Sequence, residues 1–271
     1  MQDIIRSYDG TALYRRVDTP GGHEKGAVVI THGLGEHCRR YDWVAERLNE
    51  AGFSVWRFDN RGHGRSGGAR GWLDSFRSYF YDADVLVEQA LAAASRPVFM
   101  LGHSMGGFIT GGYGVQFPGK LRGQVFSGAC VKSVPVFDAL RGADIDKIAL
   151  DDSPNSLSSL ICRTKAVVDA YDSDPFVLKV FTQKLLHEVF IKGVDWLMPA
   201  EKRHAYPCLI LHGGDDRIVP PACSEYLYEN TASTDKTLKV YPNLFHEILN
   251  EEDGKEEVIA DIIAWMNARL G

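Results

Sequence analysis

An uninterrupted apolar run, Val98-Phe99-Met100-Leu101, enters Gly102-His103-Ser104-Met105-Gly106-Gly107, and a helical pattern follows to about Phe117, where Pro118-Gly119 stops it. A short apolar run closed by glycine reads as a strand buried on both faces. Strand, tight turn and helix in direct succession make one unit of a parallel sheet with helices packed on its faces. Ser104 then sits at the strand-to-helix turn. Glycines on either side let neighbouring backbone approach where a Cβ would clash. The helix start behind it leaves N–H groups without intrahelical acceptors and gathers positive potential.

The same alternation recurs along the chain. Residues 27–31, 53–58, 121–126, 208–211 and 237–241 read as strands, and 41–51, 75–94 and 256–270 as helices. The rhythm breaks between about Val131 and Arg203. Turn signals there (Asp152-Ser153-Pro154-Asn155 and Ser173-Asp174-Pro175) separate stretches with helical apolar spacing and no strand pattern. The expected organisation is a core of residues 1–130 and 204–271 carrying an inserted cap, residues 131–203.

Composition narrows the functional classes. The formal net charge of −6 offers no basic footprint for nucleic acid. No run of 18 apolar residues suggests a spanning helix, and residues 1–10 lack the apolar core of a signal peptide. The cysteines, Cys38, Cys130, Cys162, Cys208 and Cys223, are odd in number and form no C-x-x-C pair. They read as reduced thiols of a cytoplasmic protein, with neither a metal site nor a cofactor implied.

A serine hydroxyl becomes a nucleophile only when a base takes its proton. Of the nine histidines, His246 follows the last strand and precedes the final helix, which puts it on a loop at the same sheet edge as Ser104. His32 and His103 belong to the turns around Ser104, His212 directly follows a strand, and His23, His187 and His204 lack supporting context. A carboxylate must hold the base in one tautomer. The segment Leu211-His212-Gly213-Gly214-Asp215-Asp216-Arg217 supplies two adjacent aspartates, and spacing does not separate them. The loop His32-Gly33-Leu34-Gly35-Glu36-His37 would aim the Leu34 N–H at a substrate carbonyl, paired with the Met105 N–H.

Four segments taken together resemble monoacylglycerol lipases and related lysophospholipases: His32–His37, Asp59-Asn60-Arg61-Gly62-His63-Gly64-Arg65-Ser66, Gly102–Gly107, and Asp235–Tyr241 before His246. The resemblance spans nearly the whole core and is weakest in the cap. It implies an α/β-hydrolase fold, with a mostly parallel eight-stranded sheet flanked by helices and an inserted helical cap. It also implies carboxylic ester hydrolysis, on acyl glycerols or lysophospholipids, through an acyl-serine intermediate. Carried over residue by residue, it puts the acid on Asp216 and the oxyanion hole on Leu34 and Met105, beside Ser104 and His246. Asp59, Arg61 and His63 read as staples of their own loop. Asp174-Pro175 resembles the turn before a cap helix, with Asp174 as N-cap, Pro175 at the first helical position and an apolar helix over 176–190. That helix would pack the cap on the core, and part of it could line an acyl tunnel or touch a membrane surface transiently. The competing readings are a short-chain carboxylesterase, an acyltransferase using the same three side chains, and a catalytically silent binding module.

Overall fold

In the computed structural model, which describes residues 1–93 and 96–270, eight strands form one sheet in the order β1-β2-β4-β3-β5-β6-β9-β10. They are β1 (Gln2–Arg6), β2 (Ala12–Asp18), β3 (Gly26–Thr31), β4 (Phe53–Phe58), β5 (Val98–His103), β6 (Gly123–Ser127), β9 (Cys208–Gly213) and β10 (Lys236–Tyr241). Two further strands, β7 (Asp152–Pro154) and β8 (Val180–Thr182), pair antiparallel elsewhere. In the large sheet β2 runs antiparallel to β1 and β4, and the remaining pairs are parallel.

The central strands are buried along their whole length and largely apolar, because both faces are covered. Along β3, β5 and β6, alternate side chains enter two separate cores, as the period of two requires. Ala27, Val29, Met100 and Phe126 pack with Phe80 of α2 (Arg77–Ala93) and with Phe108 and Ile109 of α3 (Met105–Gln116). Val28, Ile30, Phe99, Leu101 and Val125 face Val44 and Leu48 of α1 (Asp42–Glu50) on the other side. Val258 and Ile262 of the C-terminal helix, residues 255–267, complete that second core. The expected helix over 75–94 spans Arg77–Ala93, and Ala94 lies outside the described residues. The expected strand over 121–126 is shifted to Gly123–Ser127.

Two elements are additions to the sequence reading. β1 and β2 form the antiparallel edge of the sheet, where one face is solvated and no continuous apolar run is needed. Arg15 and Arg16 in the middle of β2 conceal its strand character; Arg15 is held by Asp3 of β1 at 2.6 Å.

The segment between β6 and β9 corrects two expectations. It holds short helices α4 (Ile145–Ile148), α5 (Ser158–Ile161), α6 (Lys165–Ser173), α7 (Gln183–His187) and α8 (Val194–Ala200), but also the β7–β8 pair. Asp174-Pro175 does not open a helix. It forms a turn after α6 in which Asp174 accepts the Phe176 N–H at 2.7 Å and the His37 Nε2–H at 2.9 Å. The β-branched and aromatic residues of Val180-Phe181-Thr182 keep the backbone extended, and the helix begins only afterwards, with the Thr182 hydroxyl accepting the Leu185 N–H at 3.2 Å. The remaining helices are α9 (Ala222–Asn230) and α10 (Lys255–Asn267).

Helix α3 lies so close to β3 that a Cβ on Gly106 would meet the Thr31 carbonyl oxygen at 2.0 Å. Gly106→Ala should therefore cost at least about 3 kcal/mol, the upper part of the overpacking range. In a domain of this size that is a fall in Tm of roughly 6–12 °C. Thermal denaturation beside Gly142→Ala, whose added methyl meets nothing within 4 Å, checks the expectation.

Candidate active site

Ser104 has φ 54° and ψ −118°, and it shares positive φ only with Asn243 among the described non-glycine residues. Such a conformation costs about 1–3 kcal/mol and persists only where the surroundings over-determine it. Here the Ser104 N–H donates to the Ser127 carbonyl at 3.0 Å. Its own carbonyl accepts from Gly107, Phe108 and Cys130 at 2.9, 3.2 and 3.1 Å. Gly102 gives the turn its room, since a Cβ there would lie 2.2 Å from the Gly106 carbonyl oxygen. Ser104 lines a narrow cavity of about 20 Å³ together with Gly33, Leu34, His103, Ile218 and His246.

His246, on the loop after β10, is buried, and its Nδ1–H donates to Asp216 Oδ2 at 2.6 Å. Asp216 follows β9, and its second oxygen accepts the Ile218 and Val219 N–H groups at 2.8 and 2.9 Å. His212 Nε2 lies 3.2 Å from the Oδ2 that His246 uses. Asp215 points the other way: it is exposed and paired with Arg163. The structure thus brings Ser104 and His246 to one cavity with Asp216 behind the imidazole, and leaves Asp215 outside.

Electrostatics distinguishes the histidines further. Burial disfavours a charged ring at His246, but the Asp216 carboxylate outweighs it, and the pKa stands above the ordinary 6.5. Asp216 is held well below the usual carboxylate range: burial works against its charge, and His246 and His212 overcome that. His103, whose ring centre is 4.6 Å from that of His246, is pushed down to about 4 by burial and by the His246 charge. Burial likewise pulls His63 to about 3, His204 to about 4, and lowers His32. His32 Nε2 accepts the Asn60 N–H at 2.8 Å, so its Nδ1–H donates to the Gly33 carbonyl. Among the histidines whose pKa departs from ordinary, His246 alone is displaced upward.

Leu34 lines the cavity, and Met105 is the first residue of α3, where a backbone N–H has no intrahelical acceptor. Gly33, just before Leu34, donates its N–H to Glu36 Oε1 at 2.5 Å. Asp59, Arg61 and His63 line no part of the cavity. Asp59 accepts the Cys38 and Arg65 N–H groups at 2.8 and 2.6 Å, and Arg61 is clamped on Asp82 at 2.7 Å. Sequence reasoning passed over Arg40 and Glu247, which bond across the rim of the site at 2.5 Å. Their separation along the chain left no local signal. Among the described residues no group of three or more His, Cys, Asp or Glu side chains could hold a metal ion.

The sheet order and the strained turn carrying Ser104 are those of a serine hydrolase of the α/β-hydrolase fold. Comparison with known proteins specifies this further. Residues 22–253 match the family described as serine aminopeptidase, S33, and the chain belongs to that family. It is 36% identical to the monoacylglycerol lipase of Mycolicibacterium smegmatis over 96% of this chain and 95% of that one. It is 30% identical to the monoglyceride lipase of Mus musculus, over 97% and 89% of the two chains. The solved monoacylglycerol lipase of Paleococcus ferrophilus superposes with a TM-score of 0.84 at 31% identity, covering 95% of this chain and 99% of that one.

The opposite settings of the two aspartates are separable by kinetics on a p-nitrophenyl ester. Asp216→Asn should lower kcat by about 10⁴, the scale set by loss of the orienting carboxylate in such triads. Asp215→Asn should leave it near wild type.

Proposed function

We propose that the protein hydrolyses monoacylglycerols through an acyl-serine intermediate, with Ser104 as nucleophile, His246 as base and Asp216 as its orienting acid. The observation that carries the reading is the 2.6 Å His246–Asp216 bond behind a cavity that Ser104 and His246 both line. His246 Nε2 takes the hydroxyl proton as Ser104 Oγ attacks the ester carbonyl, and Asp216 stabilises the imidazolium. The N–H groups of Leu34 and Met105 receive the oxyanion, each worth about 2.7–4 kcal/mol of barrier. His246 then protonates the departing glycerol, and water resolves the acyl-enzyme by the same route in reverse. The substrate class rests on the named activity of the relatives, which the chain matches over nearly its whole length.

Residues 131–203 act in this reading as a cap. Leu157, Ile161 and Tyr171 from that segment close the cavity over Ser104. A space of about 20 Å³ holds little more than one water molecule, so an acyl chain enters only when these side chains withdraw. Val136 and Leu150, exposed on the same segment at 65% and 78%, suit transient contact with a lipid surface. A cytoplasmic setting agrees with five buried cysteines, all free thiols.

Ser104→Ala should abolish release of fatty acid from monoacylglycerol and labelling by a fluorophosphonate, while far-UV circular dichroism stays unchanged. Full retained turnover would refute the nucleophile. Rates on p-nitrophenyl esters from C2 to C16, beside a monoacylglycerol and a lysophospholipid, test the substrate class; a preference for C2 would favour a short-chain esterase. Because imidazolium cannot accept a proton and the His246 pKa is raised, kcat/KM should fall with decreasing pH through a limb above 6.5. A pH profile between 5 and 9 measures where that limb lies.

A further inference from the structure

Arg40 lies in the short turn Cys38–Tyr41, between the loop that carries Leu34 and the loop that carries His246. Its guanidinium grips Glu247 with two parallel bonds, Nη1 to Oε1 at 2.5 Å and Nη2 to Oε2 at 2.8 Å. Nη1 also donates to Glu36 Oε2 at 3.0 Å. Glu36 turns its other oxygen to the Gly33 N–H at 2.5 Å and the Tyr41 hydroxyl at 2.8 Å. Glu247 immediately follows His246, and its N–H donates to the Ile161 carbonyl at 2.8 Å. The guanidinium carbon also stands 4.8 Å from the ring centre of Tyr171, which lines the catalytic cavity. Glu36 and Glu247 are buried and Arg40 nearly so, with 10% of the Arg40 side chain, 4% of Glu36 and 5% of Glu247 exposed.

Stability alone accounts poorly for this arrangement. Two buried carboxylates sharing one cation leave a net negative charge in the interior. Apolar side chains of the same volume usually hold such a site at least as well as buried ions do. Placement accounts for it better. The planar fork of an arginine fixes both the distance and the angle between the groups it bridges, which the single ammonium of a lysine cannot do.

We propose that Arg40 is a positioning residue for the hydrolytic reaction. Through Glu36 it holds the Gly33-Leu34 backbone, and through Glu247 it holds the His246 loop, so that oxyanion donor and base keep a common register. The proposal rests on the triad reading above. Misplacing either side by about an ångström is the kind of error that costs some 10²-fold in rate without changing how substrate binds.

The charges also reach the base. Asp216 and His103 face His246 directly, His212 stands behind Asp216, and Glu36 and Glu247 lie across the rim. Removing the Glu247 charge therefore takes away support for the imidazolium.

Arg40→Lys keeps the charge and loses the fork; Glu247→Gln keeps the shape and loses the charge. With monoacylglycerol as substrate, Arg40→Lys should lower kcat by about 10- to 100-fold with KM changed less than about threefold. Glu247→Gln should move the acid limb of kcat/KM to lower pH and lower kcat. Melting temperature and end-point fluorophosphonate labelling establish that each variant is folded. If Arg40→Lys does not fold, Glu247→Gln decides alone. Wild-type kcat with an unmoved pH profile in the folded variants, whatever their melting temperatures, would overturn the proposal. Ser104→Ala, run alongside, separates the two ideas: turnover surviving in it would sink the triad itself, whereas an inactive Ser104→Ala beside unaffected Arg40 and Glu247 variants sinks only the positioning role.

Discussion

The constraint on which the site depends is backbone on backbone. Helix α3 starts against β3 with Gly106 all but touching the Thr31 carbonyl, and Thr31 Oγ1 bonds the Gly106 carbonyl at 2.9 Å. No side chain fits in that gap. The chain leaving β5 must therefore turn sharply, and the turn forces Ser104 into positive φ. A cost of about 1–3 kcal/mol for one strained residue is small beside the apolar surface that β5 and α3 bury on both sides of the sheet. The same geometry lifts Ser104 off the strand line to the sheet edge, where the loops after β9 and β10 arrive.

What arrives there is charge in a dry setting, and its behaviour depends on partners more than on burial. Glu201 and Asp216 are both buried carboxyls. Glu201, with neither oxygen partnered among the described residues, is pushed up to about 8 by burial and stays neutral. Asp216 accepts two backbone N–H groups and faces two imidazoles, and it remains ionised. The histidines divide in the same way. His32, His63 and His103 lose their charge to burial, whereas His246 keeps a raised pKa because a carboxylate lies against it. A buried imidazole keeps its charge only if something nearby repays it, and at His246 the Asp216 carboxylate does so.

The sequence made visible what depends on local pattern. Apolar runs ending in glycine announce buried parallel strands and the turn at Ser104. His246 was recognisable because a loop after the last strand can reach only one edge of the sheet. Asp215 and Asp216 were inseparable by spacing, since both belong to one turn, and only the direction of each side chain divides them. The edge strands β1 and β2 escaped notice because a half-solvated strand carries charges such as Arg15 and Arg16 where a buried one carries valine. Asp174-Pro175 misled for a different reason. Aspartate followed by proline suits a helix start and an Asx turn equally, and the His37 partner that selects the turn lies 137 residues away in the chain.

That distance points to how the segment over the site is held. The segment packs Ile161, Tyr171 and Phe181 into the same core as Leu34 and Phe108, and Arg163 reaches Asn243 and Asp215. Three further polar contacts tie it down: Asp174 to His37, the Leu178 N–H to the Gly35 carbonyl at 2.8 Å, and the Ile161 carbonyl to Glu247. Each ends on the loop carrying Leu34 or the loop carrying His246. Net intramolecular hydrogen bonds contribute only about 0.5–1.5 kcal/mol apiece, so the shared apolar packing sets most of the cost of lifting the segment. The segment thus meets the same two loops that, in the proposed reading, hold the oxyanion donor and the base, and Arg40, stacked on Tyr171 while gripping Glu36 and Glu247, touches all three bodies at once. A segment opening for substrate would disturb the site unless something on the core side kept those loops together, and the buried guanidinium is the rigid group that spans them.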